Sequence, residues 1–299
     1  MNYEEAVAYI EDIPRFTTKN SLDHTRECLR RLGDPQRKFR VIHVAGTNGK
    51  GSTCAFITSV LREAGYSCGL FTSPHLVEIN ERFQINEEVI DDDTFLCAFE
   101  KVKKLSDELV AEGSYHPTYF ETLLLMGMVI FADAGVDYVV LETGLGGTYD
   151  STNACGVPDV TVIAKIGFDH MAILGDTLAK IAAEKAGIIK HGTALVLESQ
   201  EKEAMDVLNK AAERADIKTT KVVNLDEIRI LPQKDGKQCF SYAGYDAVTM
   251  KMPWRQCLQQ NYFLKNILQE KRMCRNGKLC SMQSGKGSTG HSGWDAWSL

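Results

Sequence analysis

The stretch VIHVAGTNGKGSTCAFITSVL, residues 41–61, decides the fold. A run rich in β-branched residues (41–45) gives way to a glycine-rich turn, 46–52, and then to a helix-period segment. Strand, glycine turn and helix in that order form a phosphate cradle. The backbone amides of the turn and the helix N-terminus face the anion, and a lysine adds charge. The spacing, however, is unusual. A common P-loop has four residues between its first glycine and its Gly-Lys pair, with Ser or Thr directly after the lysine. Here Thr47 and Asn48 alone separate Gly46 from Gly49-Lys50, and Gly51 precedes Ser52.

Outward from this turn, apolar strands alternate with helix-period segments. Strands are expected at 41–45, 68–72, 137–142, 159–166 and 193–198, and helices at 50–64, 92–111, 118–134, 177–187 and 200–215. Asp91, Asp92 and Asp93 supply acidic caps for the second helix. The alternation predicts an α/β fold, a P-loop-type and mostly parallel sheet flanked by helices. After Lys221 the pattern shortens around KDGK, 234–237, which reads as a small antiparallel β addition near the C-terminal end.

Composition narrows the function classes. Of 299 residues, 44% are hydrophobic and 25% charged, the balance of a soluble globular protein. No apolar run reaches the ~18 residues of a membrane span, and the acidic, amphipathic start MNYEEAVAYIEDIPRF is no secretory signal. The nine cysteines form no CxxC pair, so reduced thiols in the cytoplasm are expected. A net charge of -6 argues against nucleic acid as a partner. Residues 255–299 differ in texture, with seven basic and two acidic residues and three of the nine cysteines. They read as an atypical basic tail: either a disordered one, or a frame-shifted or mis-spliced sequence foreign to the preceding domain.

In an open parallel sheet, ligands bind beyond the carboxyl ends of the strands. The first expected strand ends in the phosphate turn, the second in TSPHL with Ser73, the third in Glu142 and TGLGG, the fourth in Asp169 and His170. Each has a plainer reading: a turn for Ser73, a lysine pair for Glu142, a cap neighbour for His170. Together on one rim they suit a magnesium–nucleotide site, since carboxylate and hydroxyl oxygens suit Mg²⁺. Lys185 breaks a local rule. It continues the apolar stripe Leu178, Ile181, Ala182, where an ammonium needs a partner, a route to water or a task.

The segments HVAGTNGKGS, FTSPHL, TYFE, ETGLGG…DSTN, DH…LG and AAEKAGI, in this order, resemble the folylpolyglutamate synthase and dihydrofolate synthase family. This is the folate branch of the ATP-dependent ligases related to the Mur ligases, and the resemblance covers residues 1–252. It implies that residues 1–254 are a Mur-ligase-like central ATPase domain. It also implies a ligase that joins L-glutamate to a folate or dihydropteroate carboxylate through an acyl phosphate, at the expense of ATP. By that resemblance Thr47, Asn48, Gly49, Lys50, Gly51 and Ser52 hold ATP. Ser73 and Glu142 hold one Mg²⁺, and His170 helps hold a second. Lys185 matches a lysine that is carbamylated in the family and so acts as a metal-side anion; Lys50, His170 and Lys185 are the catalytic set. Thr118, Tyr119, Phe120, Glu121, Tyr149, Asp150 and Ser151 match pterin-contacting positions. A monomer with no nucleic-acid or membrane partner is implied. Thr148 stands where the family usually has Arg after GLGG, and the family's glutamate-binding C-terminal domain is not recognisable in 255–299. The expectation is therefore a chain that is weak or inactive on its own; the alternative is a MgATP-binding remnant without ligase activity.

Overall fold

The computed structural model describes residues 1–14, 20–217, 219–223, 228–234, 237–242 and 245–250. Its frame is an eight-stranded sheet ordered β4-β3-β2-β5-β1-β6-β7-β8. The strands are β1 Arg40–Ala45, β2 Cys68–Phe71, β3 Phe83–Ile85, β4 Glu88–Val89, β5 Tyr138–Glu142, β6 Val160–Ile163, β7 Ala194–Glu198 and β8 Thr219–Val223. In sheet order pairing is parallel from β2 to β8, and at the other edge β3 pairs antiparallel with both β2 and β4. The first strand is central, flanked by β5 and β6 with Val44 opposite Glu142 and Ala45 opposite Ile163. Sequence leaves β1 toward one side for β2 and later crosses to the other for β6, so the carboxyl end of β1 is a topological switch point.

The period-two alternation of the buried strands divides the core. Ile42, Val44, Leu70, Val140 and Val162 pack on α3, Lys50–Glu63, through Cys54, Ile57 and Leu61. Val41, Phe71, Val139 and Leu141 face the other layer. That layer holds α1 (Tyr3–Asp12), α2 (Leu22–Arg31), α4 (Asp92–Ala111) and α5 (Tyr119–Asp133). Every residue of α5 from Glu121 to Phe131 is buried. A helix apolar on all sides belongs between layers, and this one contacts α1, α2, α4 and β2. Beside β6 and β7, the helices α6 (Met171–Leu174), α7 (Leu178–Ala186) and α8 (Lys202–Arg214) close a third cluster.

Several expectations shift. The strand expected over 159–166 stops at Ile163, because the Lys165 carbonyl turns to accept from the amides of Thr47 and Asn48. Three strands escaped the pattern. The two-residue turn between β3 and β4 places Asn86 and Glu87 at φ 58° and 71°, the geometry usually supplied by Asn-Gly. Glu87 hides that signal. Strand β8 straddles Lys221, after which the antiparallel addition was expected, and extends the parallel sheet beside β7. The addition itself is present as β9 Ile228–Lys234, β10 Lys237–Tyr242 and β11 Tyr245–Met250 in a separate antiparallel sheet. The cap at Asp91 is also present, its carboxylate accepting from Thr94 N at 2.8 Å. Residues 255–299 lie outside the described residues.

Candidate nucleotide and metal site

The glycine turn sits where the topology puts it, at the carboxyl end of β1. Gly49 is the N-cap of α3 with φ 79°, a left-handed conformation that glycine takes without strain. The helix ladder starts with Thr53 N donating to Gly49 O, so the amides of Lys50, Gly51 and Ser52 precede the first rung and have no acceptor within the helix. The amides of Thr47 and Asn48 are differently used, both donating to Lys165 O at 2.8 and 3.2 Å. The anion-binding edge is thus the helix start. Lys50 Nζ lies 3.5 Å from Thr47 O.

Glu142 ends β5 on the α3 side of the sheet, since the pleat sends Tyr138, Val140 and Glu142 to the same face. A Cβ on Gly51 would stand 3.5 Å from the Glu142 carboxylate, which fixes the carboxylate at the helix start. It is 3% exposed and accepts from Ser73 N at 3.1 Å. Burial pushes its pKa up from 4.5 to about 7, against the Ser73 amide, Lys50 and Arg82, which pull it down. Ser73 lies two residues beyond β2, the neighbour of β5, and its backbone amide meets the Glu142 carboxylate beside the phosphate turn. Arg82 escaped the sequence reading. It is 5% exposed, donates from Nε to His75 Nδ1 at 2.9 Å and lies 5.7 Å over the Tyr119 ring. Its local segment, ERFQI at 81–85, mixes polar and apolar residues and gives a cation there no distinctive signal.

Lys185 is 3% exposed, which removes the snorkelling alternative, and its Nζ donates to Gly46 O at 2.8 Å. Its helix therefore reaches the root of the phosphate turn. Burial, then Lys50, lower its pKa to about 8, with Asp169 and Asp150 opposing. A buckle holds this helix end. Thr148 N and Oγ1 both donate to Glu184 O, at 2.8 and 3.0 Å, and Asn153 Nδ2 donates to Thr148 O and Gly187 O. A Cβ at Gly147 would lie 2.6 Å from Glu184 O and 2.9 Å from Lys185 O. Those are backbone atoms that cannot swing aside. Gly147→Ala is expected to destabilise by about 1–3 kcal/mol, read as a lower urea midpoint; an unchanged midpoint would mean the buckle is slack.

The proposed pterin residues separate into two kinds. Thr118 and Glu121 form a capping box at the start of α5. Glu121 also accepts from Asn20 Nδ2 at 2.8 Å and Thr25 Oγ1 at 2.6 Å. Asp150, 1% exposed, accepts from the amides of Leu145 and Thr152 and from the Thr152 hydroxyl. These three side chains already hold the scaffold. Tyr119 is buried beneath Arg82, and Phe120 packs against Gly144, where a Cβ would meet its ring at 2.8 Å. TYFE and TGLGG thereby share the rim. Tyr149 is 68% exposed and Ser151 half-buried.

His170 lies on the loop that Gly167 ties to Thr47, and its ring is exposed with Nε2 3.7 Å from Asp169 Oδ2. No group of three or more His, Cys, Asp or Glu side chains among the described residues could hold a metal alone. A hard cation such as Mg²⁺ takes one or two protein oxygens and shares the rest of its shell with phosphates and water. Ser73 and the buried Glu142 fit that donor set.

The comparisons with known proteins agree with this geometry. Residues 44–254 match the Mur ligase middle domain. The chain is 44% identical over 213 residues to a dihydrofolate synthase/folylpolyglutamate synthase of Bacillus subtilis, covering 71% of this chain and 49% of that protein. It is 40% identical over 269 residues to a folylpolyglutamate synthase of Arabidopsis thaliana, covering 85% of this chain and 47% of the relative. It thus spans about half the length of the curated relatives it matches. A solved folylpolyglutamate synthase complex with AMPPCP and folate superposes with a TM-score of 0.82 at 30% identity, over 91% of this chain and 68% of that one. With loop, carboxylate and inward lysine on one edge and these matches in place, the chain belongs to the Mur ligase family, in its folylpolyglutamate synthase branch.

Proposed function

We propose that this chain carries the ATP-binding part of a ligase that joins L-glutamate to a folate or dihydropteroate carboxylate. The observation that carries the reading is Glu142, a carboxylate removed from water at the mouth of a phosphate turn. A carboxylate and an amine do not condense in water, so the acceptor carboxylate must first gain a better leaving group. The helix-start amides of Lys50, Gly51 and Ser52, with the Lys50 ammonium, orient the phosphates and offset the charge that grows during phosphoryl transfer. Mg²⁺, held by Ser73 and Glu142, would neutralise further phosphate charge; His170 sits on the adjoining loop, suited to a second ion. Phe120 and Tyr149 offer aromatic surface for a pterin, with Tyr119 covered by Arg82 beside them. The complex of a relative with AMPPCP and folate supports both ligands.

Lys185 fits a carbamate better than a permanent cation. A pKa near 8 leaves a useful share of neutral amine for attack on CO₂, and the product is an anion beside Lys50. Carbon-13 bicarbonate should yield a carbamate resonance that Lys185→Ala lacks; an identical spectrum for both proteins would remove that role. A cytoplasmic monomer is the matching assembly. Among the described residues no helix is long and apolar enough to cross a membrane, and Cys28, Cys54, Cys68, Cys97 and Cys155 are free thiols.

The deciding experiment is phosphate release by this chain with MgATP and either dihydropteroate or tetrahydrofolate, with and without L-glutamate. Glutamate-dependent release supports the ligase. MgADP binding without release leaves the nucleotide-binding remnant, and neither outcome sinks both readings.

A further inference from the structure

We infer that Gln200 is a positioning residue for the nucleotide turn, acting through the exit of β6; the purpose of the clamp rests on the nucleotide reading above. Gln200 lies two residues beyond β7 and is buried. Its side-chain amide spans the chain on both sides of Lys165: Nε2 donates to Ala164 O at 3.0 Å, and Oε1 accepts from Ile166 N at 2.9 Å. Residue 165 is therefore pinned from both flanks, and Lys165 Nζ adds a bond to Ser199 O at 3.0 Å.

The pinned carbonyl is the one that holds the turn. Lys165 O accepts from Thr47 N and Asn48 N. Two residues on, Gly167 pairs reciprocally with Thr47, whose Oγ1 donates to Gly167 O at 3.0 Å and accepts from Gly167 N at 3.1 Å. Ala164 also closes the back of the turn, since a Cβ on Gly46 would lie 2.9 Å from the Ala164 Cβ. Ser199 N donates to Val223 O, which ties the clamp to the edge strand β8. The path runs from β8 through 199–200 and 164–167 to Thr47, hydrogen bond by hydrogen bond. A side chain on β7's exit thus sets where the first half of the turn stands, and with it the direction of the free amides at Lys50, Gly51 and Ser52. His170, three residues beyond Gly167, rides on the same strap.

An ordinary buried glutamine would stabilise the sheet edge without reporting at the turn. The clamp makes a different demand. In Gln200→Ala, amide hydrogen exchange at Thr47 and Asn48 should accelerate by about 10-fold, the scale of one lost buried hydrogen bond, while the β1 amides of Ile42 and Val44 keep their rates. MgADP affinity by calorimetry should fall by a similar factor. Gln200→Glu keeps the acceptor for Ile166 N and sets an oxygen against Ala164 O, so it should lie between wild type and Gln200→Ala and serves if the alanine variant does not fold. Thr47→Val, which cuts the strap at its other end, should add little to Gln200→Ala in a double-mutant cycle. Unchanged exchange at Thr47 and Asn48 would overturn the clamp. Altered exchange with MgADP binding equal to wild type would overturn its role in positioning nucleotide. If wild type itself fails to bind MgADP, the failure belongs to the reading of the turn, and the exchange rates still decide whether Gln200 holds it.

Discussion

Glu142→Gln is expected to lower MgADP affinity by at least about 100-fold, since even outer-shell partners of a metal cost 10–100-fold, while making the metal-free protein more stable. The two effects have one cause. Burial raises the carboxyl of Glu142 from 4.5 to about 7, so the folded chain binds this proton more tightly than the unfolded chain does. For a carboxylate that is the inverse of the usual sign. Its burial costs nothing below pH 4.5, where both states are protonated, and the penalty grows until pH passes 7. At ~1.4 kcal/mol per pKa unit the full penalty is about 3 kcal/mol, and at 3% exposure solvent screens little of it. Glutamine keeps an oxygen for Ser73 N and carries no charge. Urea denaturation in EDTA should therefore show Glu142→Gln about 2–3 kcal/mol more stable than wild type at pH 8.5, with the gap closing by pH 4.5. A variant that is less stable at pH 8.5, or that binds MgADP as wild type does, would show that this carboxylate is part of the scaffold rather than the metal site.

What was legible in the sequence follows from the range of the forces involved. The β1 turn, the parallel strands and the rim residues were readable because strand ends in a parallel sheet deliver side chains to one edge, whatever the packing details. Lys185 was readable as an ammonium on an apolar helical stripe, and it is buried. Partnerships between distant segments were not. Arg82 needs His75 and Tyr119 to make sense, and neither is near enough in sequence to form a pattern with it. Asp150 and Glu121 entered as pterin contacts through the family resemblance alone, by their places in TYFE and in the segment after GLGG. The bonds of Glu121 to Thr25 and Asn20 exist only once the layers close, whereas Asp150 caps its own segment through Thr152. Helix α1 lies in the stretch read as acidic and amphipathic but given no element, and α2 escaped because half of its residues are charged.

Glu121 provides the second large effect and tests whether TYFE is scaffold or pterin contact. Its carboxylate is 2% exposed and joins the start of α5 to α2. Burial alone would raise its pKa, yet bonds from His24, Thr25 and Thr118 outweigh burial and hold it down at about 2. His24 is pushed up to about 10, by its contact with Cys28 and then by Glu121. Its Nδ1 stands 3.5 Å from the Glu121 carboxylate, and its Nε2 donates to Tyr115 O at 2.9 Å. Removing one member of a buried ion pair strands the other, at about 3–5 kcal/mol, so Glu121→Ala should lose that much stability at pH 6. The pH profile carries the sign. The raised His24 contributes fully below pH 6.5, and its contribution fades as pH climbs through 10. The depressed Glu121 contributes above pH 4.5, and its share is lost as pH falls through 2. Wild type should therefore weaken between pH 6.5 and 10 with a slope that shrinks in Glu121→Gln, where Cys28 and the Tyr115 carbonyl alone still support the imidazolium. If Glu121 instead serves the substrate, Glu121→Gln will unfold like wild type at every pH and fail to bind a folate analogue. Scaffold demands the reverse: a less stable protein whose folate affinity at pH 7 stays within a few-fold of wild type.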